Sequence, residues 1–244
     1  MKKKPGPRIV GVIPARYHSS RFPGKVLIPV DGLPMVAQVY ARAARATVLD
    51  TVTVATDSQR VARAMDILGI PLVMTSSNCR TGTDRVAEVA RDGEGDIYVN
   101  IQGDEPFIEE EIIEQAVQPF LDDSRLKMGT VATTSLNGEQ WADVNVVKVR
   151  VTEDGFADDF FRSSSGPYPP PNTYKHIGLY VYERKFLLDF SRMKRTSEEK
   201  ERHLEQMRAL DHGIPVKVVI TLHDHFSINS PEDLARAREV SGVA

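Results

Sequence analysis

The chain has 244 residues, 41% of them hydrophobic and 27% charged, with a formal net charge of −3. That is enough apolar mass for a sizeable core, and too little charge imbalance to drive binding to nucleic acid or a membrane surface. The lone Cys79 excludes an internal disulfide framework and suits a reducing cytoplasm. Lys2, Lys3 and Lys4 are followed by Pro5 and Pro7 with no apolar run, so neither a signal peptide nor a membrane span is expected.

Ile9 to Ile13, bounded by Pro14, reads as the first buried strand. The next residues carry Arg16, Arg21 and Lys25 interleaved with Ser19, Ser20, Pro23 and Gly24. A cationic, Gly- and Ser-bearing loop leaving the carboxyl end of a first strand is where open α/β sheets bind ligands. Its hydroxyls, backbone N–H groups and fixed cations suit a polyphosphate. Pro34 is expected to start a helix with an apolar face of Met35, Val36, Val39, Tyr40 and Ala43. Thr51 to Ala55 is a second strand, and Thr56-Asp57-Ser58 caps a helix that runs to Leu68 and ends at Gly69. A third strand, Pro71 to Met74, precedes a polar loop from Thr75 to Thr83 and a helix from Asp84 to Arg91. Asp96 to Ile101 is a fourth strand ending in Gln102-Gly103-Asp104-Glu105-Pro106, with a helix from Glu109 to Leu121 beyond it. Strands alternating with helices predict an α/β fold built on a doubly wound, mostly parallel sheet.

Further on the pattern changes. Val146 to Val151 and Ile177 to Tyr182 read as strands, and Gly155 to Arg162 as a turn leading into a third. Ser163 to Asn172, SSSGPYPPPN, cannot be regular structure and reads as an excursion toward a partner subunit. Glu198 to His212 is expected as one helix closed by Gly213, before a strand Val216 to Leu222 and a last helix from Pro231. The expectation is a single α/β domain over the whole chain, with a smaller β-rich insertion at about 130–190.

Asp104 follows a buried strand, after a glycine and before a proline. A carboxylate there, beside a basic phosphate loop, is what holding Mg²⁺ on a nucleoside triphosphate requires, although a turn or cap aspartate fits the same residues. Alternation puts His176, Gly178 and Tyr180 on one strand face, which leaves room for a polar ligand or describes a half-buried strand. Glu205 and Arg208 read as a solvated i,i+3 pair, and His223-Asp224-His225 as a solvated strand end.

The motifs PARYHSSRFPGK, GTDR, NIQGDEP, KHIGLYVY and LEQMRAL, in the chain's own order, resemble the 3-deoxy-manno-octulosonate (Kdo) cytidylyltransferase family, the CMP-Kdo synthetases. The resemblance runs from Ile9 to about Arg238. It implies a nucleotide-diphospho-sugar transferase-like fold and a homodimeric cytoplasmic enzyme. Such an enzyme couples CTP to the anomeric hydroxyl of Kdo with Mg²⁺, for lipopolysaccharide synthesis. It also implies roles. Ala15, Arg16, Ser19 and Lys25 would hold the nucleotide phosphates, and Ser76 and Gln102 the cytosine and ribose. Arg85, Gln102, Arg162, His176, Tyr180 and Glu205 would line the acid-sugar site, with Asp104 and Asn229 on the metal. Arg16, Lys25 and Asp104 would be the catalytic set.

Two places depart from the family pattern. Where it reads A-L-Y-F-S-R, this chain has Ala157-Asp158-Asp159-Phe160-Phe161-Arg162, and where it reads V-D-T-P-E-D, Ile228-Asn229-Ser230-Pro231-Glu232-Asp233. A cytidylyltransferase for a related acid sugar (an amino-substituted Kdo or a nonulosonate) stays open beside the Kdo enzyme. So does a nucleotide-binding homologue whose turnover is impaired by Asn229.

Overall fold

The computed structural model describes residues 6–18, 22–162, 169–223, 226–228 and 230–235. The chain divides into two compact units, Met1–Glu114 with Phe226–Ala244, and Gln115–His225.

The first unit is a parallel sheet with strands β1 (Ile9–Pro14), β4 (Thr51–Thr56), β5 (Leu72–Met74) and β6 (Ile97–Asn100), in the order β6-β1-β4-β5. A short antiparallel ribbon, β2 (Pro29–Val30) with β3 (Leu33–Pro34), sits between β1 and α1 (Met35–Ala43). The other crossovers are α2 (Gln59–Ile67) and α3 (Gly82–Asp92). Every residue of β1 and of β6 is buried, which is why Ile9–Ile13 and Ile97–Val99 read as apolar runs rather than alternating ones.

Helix starts follow local chemistry. Ser58 accepts a hydrogen bond from the Val61 N–H, and Gly69 closes the far end of α2 at φ 66°. Thr81 and Asp84 form a reciprocal capping box, so α3 begins at Gly82, two residues before the expected start. Pro34 does not open α1; its ψ of 139° keeps it extended in β3, and it precedes the helix as the cap residue. The segment at 226–235, with a helical turn from Pro231, belongs to this unit. Ile228 and Leu234 pack with Val30 and Met35, against Phe22, Ile28, Phe107 and Phe226.

The chain passes into the second unit within α4 (Glu110–Asp122). There β7 (Met128–Thr133), β8 (Lys148–Val151), β9 (Ala157–Phe161), β10 (Thr173–Glu183) and β11 (Val216–Thr221) form a mixed arrangement. The pair β11–β7 is parallel, while β7–β10, β10–β8 and β8–β9 are antiparallel. Helices α5 (Gly138–Ala142), α6 (Arg184–Arg192), α7 (Ser197–Arg202) and α8 (Met207–Asp211) complete it.

The single helix expected over Glu198 to His212 is two. His203 adopts φ 54° and ψ 41°, the left-handed conformation that ends α7, and Met207 starts a new helix after the turn. The proline-rich excursion lies largely outside the described residues, which omit 163–168. The same holds for Asp224 and His225 of the expected strand end.

Candidate functional site

In the first unit the candidate residues gather at the carboxyl ends of β1, β4, β5 and β6. The Ala15 N–H donates to the Ala55 carbonyl at 2.8 Å, and the Ile101 N–H to the Val12 carbonyl at 3.0 Å. The loops after β1 and β6 therefore leave the sheet side by side. A side chain at Gly103 would meet the Pro14 carbonyl oxygen at 2.9 Å, so only glycine lets the second loop run this close. The loop after β1 turns back through Gly24, at φ 74°, whose N–H donates to the Tyr17 carbonyl at 2.8 Å.

That turn delivers Lys25. Its Nζ donates to Asp104 Oδ2 at 2.5 Å, with side chains only 11% and 24% exposed. The same ammonium donates to the Ile228 carbonyl at 3.4 Å, and the Ile228 N–H donates to the Asp104 carbonyl at 3.0 Å. Three sequence-distant segments thus meet at one cation and one carboxylate. The apolar cluster around Ile228 holds the last of them in place. Ser19 and Asn229 lie outside the described residues.

Arg16 reaches the loop after β5, donating from Nη2 to the Cys79 carbonyl at 3.1 Å. Burial and the neighbouring Arg85 guanidinium lower Arg16 from its ordinary value, with Asp57 and Asp84 opposing. Two guanidinium groups that raise each other's cost favour an arriving anion. Ser76 spends its side chain within its own loop, accepting from the Asn78 N–H at 3.0 Å, while its N–H donates to Glu88 at 2.9 Å. Glu88 also accepts from the Cys79 thiol at 3.1 Å, and burial first, then this carboxylate, pushes that thiol up to about 11. Gln102 Nε2 donates to Asn100 at 3.2 Å, and a side chain at Gly82 would come within 3.8 Å of Gln102 Oε1.

Arg85 is wholly buried on the inward face of α3 with Val86 and Ala87, bonded to the Thr75 hydroxyl and 3.4 Å from Asp57 Oδ1. Its Nε and Nη2 have no hydrogen-bond partner among the described residues.

In the second unit, alternation along β10 leaves His176, Gly178 and Tyr180 half-buried on one face, as expected. The His176 and Tyr180 rings lie 5.5 Å apart, and Phe160 meets His176 edge-on at 5.2 Å. The β7 register shifts between Ile177 and Tyr180, and Thr130 fills the irregularity. Its hydroxyl donates to the Leu179 carbonyl at 2.7 Å and stands 2.9 Å from His176 Nε2. With that one proton committed, Nε2–H donates to Thr130, and in the neutral ring Nδ1 carries the lone pair. Arg162, at the end of β9, donates to the Asn145 carbonyl at 3.0 Å. The buried Lys148 ammonium ties the Arg162 and Asp143 carbonyls together at 3.0 and 2.6 Å.

Glu205 stands between α7 and α8, 3.2 Å from Arg208 Nη2. The i,i+3 pair is present, but Arg208 is buried rather than solvated. Sequence reasoning passed over Thr130 and Lys148, whose only signal is a polar residue among apolar ones, and Glu199, which lies in a run of charged residues with no local signal of burial. The departures at Asp158 and Asp159 are each matched by a cation, Arg150 at 2.5 Å and Arg202 at 2.6 Å.

A family model described as cytidylyltransferase matches residues 10–218. The chain is 43% identical to the 3-deoxy-manno-octulosonate cytidylyltransferase of Pelobacter propionicus, over 95% of this chain and 96% of that protein. It is 42% identical to that of Trichlorobacter lovleyi, over 95% and 98%. A solved structure of CMP:2-keto-3-deoxy-manno-octonic acid synthetase complexed with CTP superposes with a TM-score of 0.89 at 35% identity, covering 96% of this chain and 98% of that one. The 4-diphosphocytidyl-2C-methyl-D-erythritol synthase of Anaerococcus prevotii shares the fold at a TM-score of 0.66 and 17% identity, over 98% of this chain and 100% of that one.

Proposed function

We propose that this chain, which belongs to the 3-deoxy-manno-octulosonate cytidylyltransferase family, couples CTP to the anomeric hydroxyl of Kdo, releasing pyrophosphate. The observation that carries the reading is the Lys25–Asp104 pair, a cation and an anion held together where parallel strands end. A nucleoside triphosphate with its metal offers each of them the opposite charge. The sugar oxygen forms a bond to the α-phosphorus while the bond to pyrophosphate breaks, with no covalent enzyme intermediate. The protein's task is to place the reactants in line and to stabilise charge on the leaving group. Arg16 and Lys25 supply fixed cations for it. Arg85, Arg162, His176, Tyr180 and Glu205 are the proposed contacts for the sugar acid.

The donors fit Mg²⁺. Among the described residues no group of three or more His, Cys, Asp or Glu is assembled, and the carboxylate beside Lys25 is that of Asp104. Mg²⁺ takes one or two carboxylates and completes its shell from phosphates and water. Asp104 would hold it, with Asn229 as a neutral oxygen donor, and the ion would neutralise charge on the transferring phosphate. Asn229 follows Ile228, whose N–H is bonded to the Asp104 carbonyl. The product's use in lipopolysaccharide synthesis and a cytoplasmic setting follow from the family; no helix among the described residues is long and apolar enough to cross a membrane.

The test is pyrophosphate release from CTP and Mg²⁺ with a panel of sugar acids. Release with Kdo in preference to amino-substituted Kdo and nonulosonates is expected. Release only with another acid reassigns the substrate, and CTP binding without release from any acid overturns the reading.

A further inference from the structure

We propose that Arg208 is a positioning residue for the acid sugar, acting through Glu205. The proposal rests on the reading above that Glu205 meets the sugar.

The left-handed turn at His203 ends α7, and α8 beyond it brings Arg208 against Glu199. Arg208 Nε donates to Glu199 Oε2 at 2.7 Å and Nη2 to Oε1 at 2.6 Å, a two-point grip between side chains 3% and 1% exposed. Its Nη1 donates to the Phe190 carbonyl at 3.0 Å, and the guanidinium lies 4.6 Å from the centre of the Phe190 ring. Glu199 is held from another side by Arg195 Nε at 2.8 Å. Burial raises the Glu199 carboxyl, but the bonds from Arg208 and Arg195 outweigh it and leave it below its ordinary value. A planar fork fixed on both edges and one face cannot swing.

From this fixed point Nη2 also reaches Glu205 Oε1 at 3.2 Å, on a side chain 24% exposed. Joining α7 to α8 needs only the Glu199 contact, so the Glu205 contact is additional to the structural pair. A glutamate has several rotors, and ordering it at the moment of binding would cost affinity. Arg208 orders it beforehand, and the remaining lone pairs of the carboxylate suit the hydroxyls of a sugar.

The test uses the full chain, with steady-state kinetics on CTP and Kdo well below each variant's melting temperature. Arg208→Lys keeps the charge but loses the fork. It is expected to raise the KM for the sugar about tenfold, leaving the KM for CTP within about twofold and kcat little changed. Glu205→Gln should raise the sugar KM similarly, and the double variant should be no worse than the worse single one. A lower melting temperature with unchanged sugar KM in Arg208→Lys makes the residue purely structural and overturns the proposal. So does an additive double variant. If Glu205→Gln leaves the sugar KM unchanged, the sugar reading of Glu205 itself fails. Should Arg208→Lys not fold, Glu199→Gln loosens the same fork from its other side and carries the same expectations.

Discussion

Lys25 and Asp104 are drawn from opposite chemical needs and occupy each other at 2.5 Å. A phosphate that recruits Lys25 must displace Asp104, and a cation that recruits Asp104 must displace Lys25. The two ligands therefore help one another, since each releases the other's partner. Asp104→Asn removes the competing charge. In EDTA it is expected to bind CTP more tightly than the wild type by about tenfold, the scale of one charge-assisted hydrogen bond. Calorimetry checks this, and equal or weaker binding would show that Asp104 does not restrain Lys25. Asn229 tests the other half of the pair. An amide oxygen brings no charge, so Asn229→Asp is expected to lower the Mg²⁺ concentration for half-maximal rate and to raise turnover. An unchanged Mg²⁺ titration would remove position 229 from the metal; the turn beginning at Pro231 is capped by Ser230, whose hydroxyl accepts from the Asp233 N–H at 3.2 Å.

At the scale of the element, the break between α7 and α8 carries the most consequence. His203 holds φ 54° without being glycine, a conformation that a β-branched side chain tolerates poorly. His203→Val is therefore expected to cost about 1–2 kcal/mol in thermal melts, where an ordinary exposed helix position would cost far less. The same pair of helices gives a pH dependence with a definite sign. Glu199 titrates below its ordinary value in the folded chain, with burial opposing and the bonds from Arg208 and Arg195 prevailing. Its contribution is thus complete above the unfolded carboxylate range and is lost as the pH falls through the lowered folded value. Melts taken from neutral pH into acid should show that loss in the wild type. Glu199→Gln should start lower at neutral pH and fall less, and parallel curves would exclude Glu199 as the titrating group.

For the molecule as a whole, the family carries the expectation of a homodimer, and sedimentation equilibrium should then give twice 27.2 kDa. A single-chain mass at micromolar concentration would remove it. How far the chain could be read in advance follows the range of the forces involved. The buried run Ile9–Ile13, the Ser58 cap, the glycine at 69 and the alternation through His176 and Tyr180 are local. Each is written in neighbours a few positions apart, so the parallel α/β order and the half-buried face of β10 were legible. The roles of Lys25, Asp104, His176 and Glu205 rest instead on the family that the motifs resemble. Other features depend on partners far along the chain. Arg208 reads as a charge on a solvated helix face, and only the fold buries it against Glu199. Arg85 reads as a guanidinium for a sugar carboxylate, and only the fold shows it buried beside Thr75 and Asp57. Nothing near Asp104 announces Ile228, which an apolar cluster brings to it from the far end of the chain. Sequence determined which side chains this protein has to work with and which strands and helices carry them. Only the tertiary structure decided which charges would be buried and paired, because a charge leaves water only where a partner from elsewhere in the chain is already in place.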